Sequence, residues 1–212
     1  MMRSVREWAA PPRGIQNIRG NSMTKFFGNL HLVLVVGLAA AIALMMAFAP
    51  SAPVDPNSIL RWLHLFFGVL WIGLLYYLNF VQVPTMPSIP DELKPAVSKH
   101  IAPKVLFFFR WAAAITVLTG LGIAFVGGYG HQALTLSGEG NVNLIGIGMW
   151  LALIMAFNVW FIIWPAQKKI LGIVEATAEE KAAAAPRALI ASRTNTLLSL
   201  PMLYAMVSAN LG

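Results

Sequence analysis

The sequence contains no cysteine and little charge. Without thiols there can be no disulfide, thiolate metal site, iron–sulfur cluster or CxxCH-attached c-type haem. Any metal or cofactor must therefore rely on histidine, methionine, carboxylate or backbone ligands. Charged side chains make up 11% of the 212 residues, against about 25% in an ordinary soluble domain, while 58% are hydrophobic. Mean hydropathy is +0.70. These values exclude a soluble globular protein and predict an all-α integral membrane protein whose main partner is the lipid bilayer. The net charge of +7 does not signal a nucleic-acid partner, because its meaning depends on where the charges lie.

The central stretch is 58–83, SILRWLHLFFGVLWIGLLYYLNFVQV. About 20 apolar residues at 1.5 Å per residue suffice to cross a bilayer as a helix. Asn57 or Ser58 can cap its start, and Pro84 is expected to end it. Other apolar runs predict helices over about 26–49, 104–126, 142–164 and 187–211, giving a bundle of about five transmembrane helices. A charged, alanine-rich segment over about 170–186 reads as a short helix on the membrane surface. Residues 127–141 form a glycine-rich link. Residues 1–25 are basic and aperiodic, which predicts a disordered tail. Met23 offers an alternative start. Ala47-Phe48-Ala49 after the first run resembles a signal-peptidase site. The length of that run and the adjacent Pro50 favour a retained helix.

Of 15 Lys and Arg residues, 14 lie in the N-terminal tail or flank the second-to-third and fourth-to-fifth connections; Arg61 is the exception. The positive-inside rule then predicts a cytoplasmic N-terminus and an outward C-terminus. Trp62, Trp111 and Trp164 fall near helix ends, where an aromatic belt would place them.

An ionisable group inside a span is costly and usually has a function. His64 lies about 9 Å from the outer end of its helix. Gly68, Trp71 and Leu75 follow on the same face, and the small residue one turn away would leave room for a flat ring such as a porphyrin. The alternative is a histidine that hydrogen-bonds a carbonyl of a neighbouring helix. His31 and His100 share a depth near the inner side, so a bis-histidine site would pair those two. A site at His64 would need another partner, such as Met149, Met202 or Met206, or an open position. His31 and His100 could equally be interfacial, and His131 is expected in solvent.

Asn158 lies mid-span, with Asn79 and Gln82 towards the inner end of the second helix. Arg110, Arg193 and Asn195 lie towards the inner ends of the third and fifth. They could simply hydrogen-bond between helices or snorkel. They could instead hold cofactor propionates or a charged substrate, with Arg110 the better candidate. Ala112, Thr116 and Gly120 repeat at four-residue spacing, as close helix packing requires.

The blocks RWLHLFFGVLWIGLLYYL, LFFFRWAAAITVLTG, NVWFIIWPAQKKIL and SRTNTLLSLPMLYAMVSANLG together resemble the membrane domain of the bacterial urate oxidase that is fused to a cytochrome c. The pattern from Arg61 to Leu78 is also similar to membrane protoporphyrinogen oxidases and, more distantly, to copper-resistance membrane proteins. The resemblance implies haem b ligated by His64, and residence in the bacterial inner membrane. It also implies redox work, either electron transfer with a separate cytochrome c or within a larger membrane complex, or oxidation of urate or a porphyrinogen. A copper-handling or structural role without haem is the alternative, since copper(I) takes soft Met and His ligands. The urate oxidase pattern has histidine where Phe107 and Thr194 stand here, so those two roles do not carry over.

Overall fold

The computed structural model describes residues 22–48 and 55–210. Two units are distinguished, one on each side of Val54. Most of the expected basic tail, and Ala49 of the possible cleavage motif, lie outside the described residues.

The first unit holds α1 (Ser22–Phe27) and α2 (Leu30–Phe48). The 19 residues of α2 carry apolar side chains on every side, as a helix surrounded by hydrocarbon requires. The Asn29 side chain accepts from the Leu32 N–H at its start.

The second unit is a set of antiparallel rods: α3 (Pro56–Ser88), α4 (Lys94–Val126), α6 (Asn141–Ile170) and α7 (Ala178–Ser208), with a short α5 (Gly130–Thr135) after α4. With α2, the rods α3, α4 and α6 are the four described helices long and apolar enough to cross a membrane. All described secondary structure is helical, as expected where the bilayer supplies no hydrogen-bonding partner for unpaired backbone. Asp55 caps α3 by accepting from Asn57 N–H, with Pro56 at the first helical position. Thr177 and Glu180 form a reciprocal capping box at the start of α7.

Several boundaries differ from the sequence expectation, among them the start of α4, at Lys94 rather than about 104. Pro84 does not end the second helix, and Pro165 does not end the fourth; both helices run on, to Ser88 and Ile170. Each proline is approached through a π-helical turn, Tyr77–Gln82 and Asn158–Ile163, and Val97–Ile101 precedes Pro103 in the same way. A proline has no N–H, and its ring crowds the carbonyl four residues earlier. In all three cases the residue just before proline bonds five residues back: Val83 to Leu78, Ala102 to Val97 and Trp164 to Val159. The widened turn accommodates the ring without breaking the helix. A further difference is α7, a continuous helix of 31 residues. It joins the latter part of the expected surface segment to the expected fifth helix, with Pro186 and Pro201 inside it.

Antiparallel packing is set by small residues. A methyl at Gly122 would lie 3.3 Å from Leu60, and one at Gly68 3.8 Å from Thr116, which fixes the register of α3 on α4. Gly148 lies against Ala205 and Met206, bringing α6 onto α7. The main core gathers Trp71 and Leu75 of α3, Phe109 and Ala113 of α4, Met155 and Val159 of α6, and Ala191 and Met202 of α7.

Polar groups cross this core on one face of α7. Asn79 donates to Ser192 Oγ at 2.8 Å and to Leu75 C=O at 2.9 Å. Asn158 donates to Asn195 Oδ1 at 2.9 Å, and Asn195 donates onward to Met155 C=O at 2.9 Å. Tyr76 and Ser199 share a hydroxyl bond of 2.9 Å. The buried amides therefore tie α3 and α6 to α7, which is the interhelical reading of Asn79 and Asn158.

Candidate functional site

His64 points from α3 into α4. Its Nδ1 lies 2.9 Å from the Thr116 carbonyl oxygen and 3.3 Å from Thr119 Oγ1. A carbonyl can only accept, so Nδ1 carries the proton and donates it. The tautomer follows: Nε2 is the bare base, and it has no hydrogen-bond partner among the described residues. The Thr116 carbonyl is able to accept this bond because α4 is stripped of bulk here. A Cβ on Gly120 would come within 2.8 Å of His64 Cε1. The imidazole thus sits close against the α4 backbone, with its Nδ1–Cε1 edge nearest Gly120.

Beside the ring is a cavity of about 30 Å³, lined by His64 of α3, Thr116 and Gly120 of α4, Met149 of α6 and Met206 of α7 among others. Four helices converge on it. Its walls are apolar apart from the imidazole and threonine groups. The threonine hydroxyls are already committed, Thr116 Oγ1 to Ala112 C=O and Thr119 Oγ1 to Ile115 C=O, both at 2.7 Å. What remains are one imidazole nitrogen and two thioethers. Orientation of a ligating imidazole by a carbonyl on its other nitrogen is the usual supporting contact of a metal site.

The other expected site residues are dispersed. Trp71 is buried on α3, with its Nε1 unpartnered. Gly68 faces Thr116, so the space expected for a flat ring is occupied by α4. Met202 belongs to the main core. Asn158 is bonded to Asn195. His31 on α2, His100 in the π turn of α4, His131 on α5 and Arg193 on α7 are each exposed. Arg110 is buried on α4, and its guanidinium carbon stands 3.4 Å from the centre of the Trp164 ring. The four-residue spacing of Thr116 and Gly120 marks them in the sequence as packing residues, and only the register of α3 on α4 shows that the same stripe holds the histidine.

Residues 131–212 match the urate oxidase N-terminal family. The chain's resemblance to that family is thereby supported over the last residues of the link, α6 and α7, which supply Met149 and Met206. The rods α3 and α4, with His64 and Arg110, lie outside the matched residues. No curated protein and no solved structure matches the chain.

Proposed function

We propose that this chain is a membrane redox protein related to the urate oxidase membrane domain, with a metal held at His64. The observation that carries the reading is the fixed tautomer: Nδ1–H anchored on Thr116 and Nε2 left bare in a cavity shared with Met149 and Met206.

Two groups were expected from the sequence, and they fit differently. His64 would offer haem b one oriented basic nitrogen. The haem does not find the space, because about 30 Å³ accommodates one or two waters, whereas pockets for drug-sized ligands run to several hundred Å³. Gly120 closes α4 down on the imidazole. A soft single ion needs far less space. One imidazole nitrogen and two thioethers are a donor set suited to copper(I). Copper bound there would supply a one-electron couple. The chain itself orients the base through Thr116, presents thioethers that favour the reduced ion, and surrounds the site with apolar side chains that exclude water. A separate cytochrome c on the outward face is the partner class that the family resemblance implies.

A substrate-oxidising site is less well supported. Urate or a porphyrinogen would need polar groups to bind it, and the hydroxyls around this cavity are already bonded to backbone carbonyls.

The deciding experiment compares detergent-purified wild type with His64→Ala, by copper(I) competition against a chromophoric chelator and by reduced-minus-oxidised spectra. Stoichiometric copper(I) binding lost in the variant, with no Soret band, is the expected result. A b-type Soret band abolished by the substitution would replace copper with haem. If neither group binds, the metal reading fails.

A further inference from the structure

A second site lies away from His64 and does not depend on the metal reading. Arg110 of α4 is only 9% exposed. Its Nε and Nη1 are sealed from solvent and have no hydrogen-bond partner among the described residues. Trp164 lies against the guanidinium, 3.4 Å from its carbon to the ring centre. That stack occupies a face of the cation and leaves the Nε and Nη1 N–H groups, which lie in the guanidinium plane, without partners among the described residues. Lys168 Nζ is 5.9 Å from the centre of the same indole ring, so two cations share one aromatic side chain.

A buried charge requires a partner, and the spans contain none. The apolar runs 58–83, 104–126, 142–164 and 187–211 include no Asp or Glu. The ion pairs among the described residues, Lys94–Asp91 and Lys169–Glu180, lie outside those runs. Asn79 Oδ1 and Gln82 Oε1 are also buried without partners, yet neither bonds to Arg110. Among the described residues no carboxylate pairs with Arg110, and an anion from another molecule would supply the counter-charge.

We infer that Arg110, Trp164 and Lys168 form a binding site for an oxyanion, a phosphate or carboxylate group. The planar guanidinium matches such groups through paired N–H donors, while the indole holds it in place. Lys168 and Lys169 mark the end of α6 from which an anion would approach. The same chemistry can come from an anionic lipid headgroup or from a soluble anion.

The full chain, stripped of lipid in dodecyl maltoside, separates these sources. Phosphatidylglycerol retention would be read by native mass spectrometry, and binding of inorganic phosphate or benzoate by calorimetry. Wild type, Arg110→Gln, Arg110→Lys and Trp164→Leu would be compared, with helicity checked by circular dichroism. We expect Arg110→Gln to weaken binding at least about tenfold, since charge-assisted hydrogen bonds are lost. Arg110→Lys should fall between, because it keeps the charge without the planar donors. Binding confined to phosphatidylglycerol assigns the site to a lipid, and binding of phosphate or benzoate assigns it to a soluble oxyanion. If Arg110→Gln does not fold, Trp164→Leu must show the weakening instead. Wild type that binds none of the probes, or folded variants that bind as wild type does, would overturn the proposal.

Discussion

His64 and Thr116 are joined by a 2.9 Å hydrogen bond from an imidazole N–H to a main-chain carbonyl. Because the acceptor is backbone, no side-chain change at Thr116 removes it. The bond fixes both the ring orientation and the tautomer, and leaves Nε2 of a residue that lines the cavity with Met149 and Met206 without a partner among the described residues.

The thioethers can be tested separately from the histidine. Met149→Leu and Met206→Leu nearly preserve volume, so helicity and thermal stability should change little. Copper(I) affinity should fall in each, and furthest in the double variant. Unchanged chelator competition in the double variant would show that the sulfurs are packing residues only.

Gly120→Ala tests the closeness of α4 to the imidazole. The new methyl would stand 2.8 Å from His64 Cε1, so the ring or the helix must shift. Overpacking of this kind costs about 1–3 kcal/mol. A lowered melting temperature together with weakened metal binding is expected. Ala substitution at Gly73, where a methyl meets nothing within 4 Å, is the control and should leave both unchanged.

The amide layer on α7 should be structural. Asn195→Leu removes the acceptor for Asn158 and the donor to Met155 C=O. Polar interhelical contacts in membranes average about 0.6 kcal/mol by double-mutant cycles, with the largest near 1.7. A loss of about 1–2 kcal/mol in mixed-micelle unfolding is expected, with copper affinity retained. Loss of copper without loss of stability would instead place Asn195 in the functional site.

The start of α7 should be acid-sensitive. The Lys169 ammonium, 2.9 Å from the Glu180 carboxylate, and the Thr177 N–H hold that carboxyl below its ordinary range. A lowered folded-state pKa contributes stability at pH values above the unfolded-state value, and that contribution disappears as pH falls through the folded-state value. Protection from amide exchange over residues 178–184, taken relative to the intrinsic rate at each pH, should therefore fall only in acid, below about pH 4.3, the ordinary glutamate value. In Glu180→Gln the acid dependence should be lost. An acid dependence that survives the substitution would place the titrating group elsewhere.

The helical rods were legible because a bilayer forces each spanning segment to satisfy its own backbone. Length and hydropathy alone marked about 26–49, 58–83, 104–126, 142–164 and 187–211, and the first four correspond to the helices long and apolar enough to cross a membrane. Which side of each rod faces protein was much harder to read. Exposed Leu118 and Phe161 are as apolar as buried Leu75 and Phe109, so no polar stripe separates the two faces as it would in water. Pro84 does not end its helix for a local reason, since a π turn is a backbone adjustment that residue types alone do not specify.

The sequence by itself determined that this chain is helical, apolar enough for a membrane, free of thiol chemistry and in possession of one histidine well inside a span. Tertiary structure decided the rest. It set the register of α3 on α4, so that His64 meets the Thr116 carbonyl and Gly120 rather than an open slot. It brought Met149 and Met206 from distant parts of the chain onto one cavity, and it stacked Arg110 on Trp164 with no carboxylate at hand. Those relations arise from how small residues let helices approach one another, and such pairwise contacts are absent from composition and periodicity.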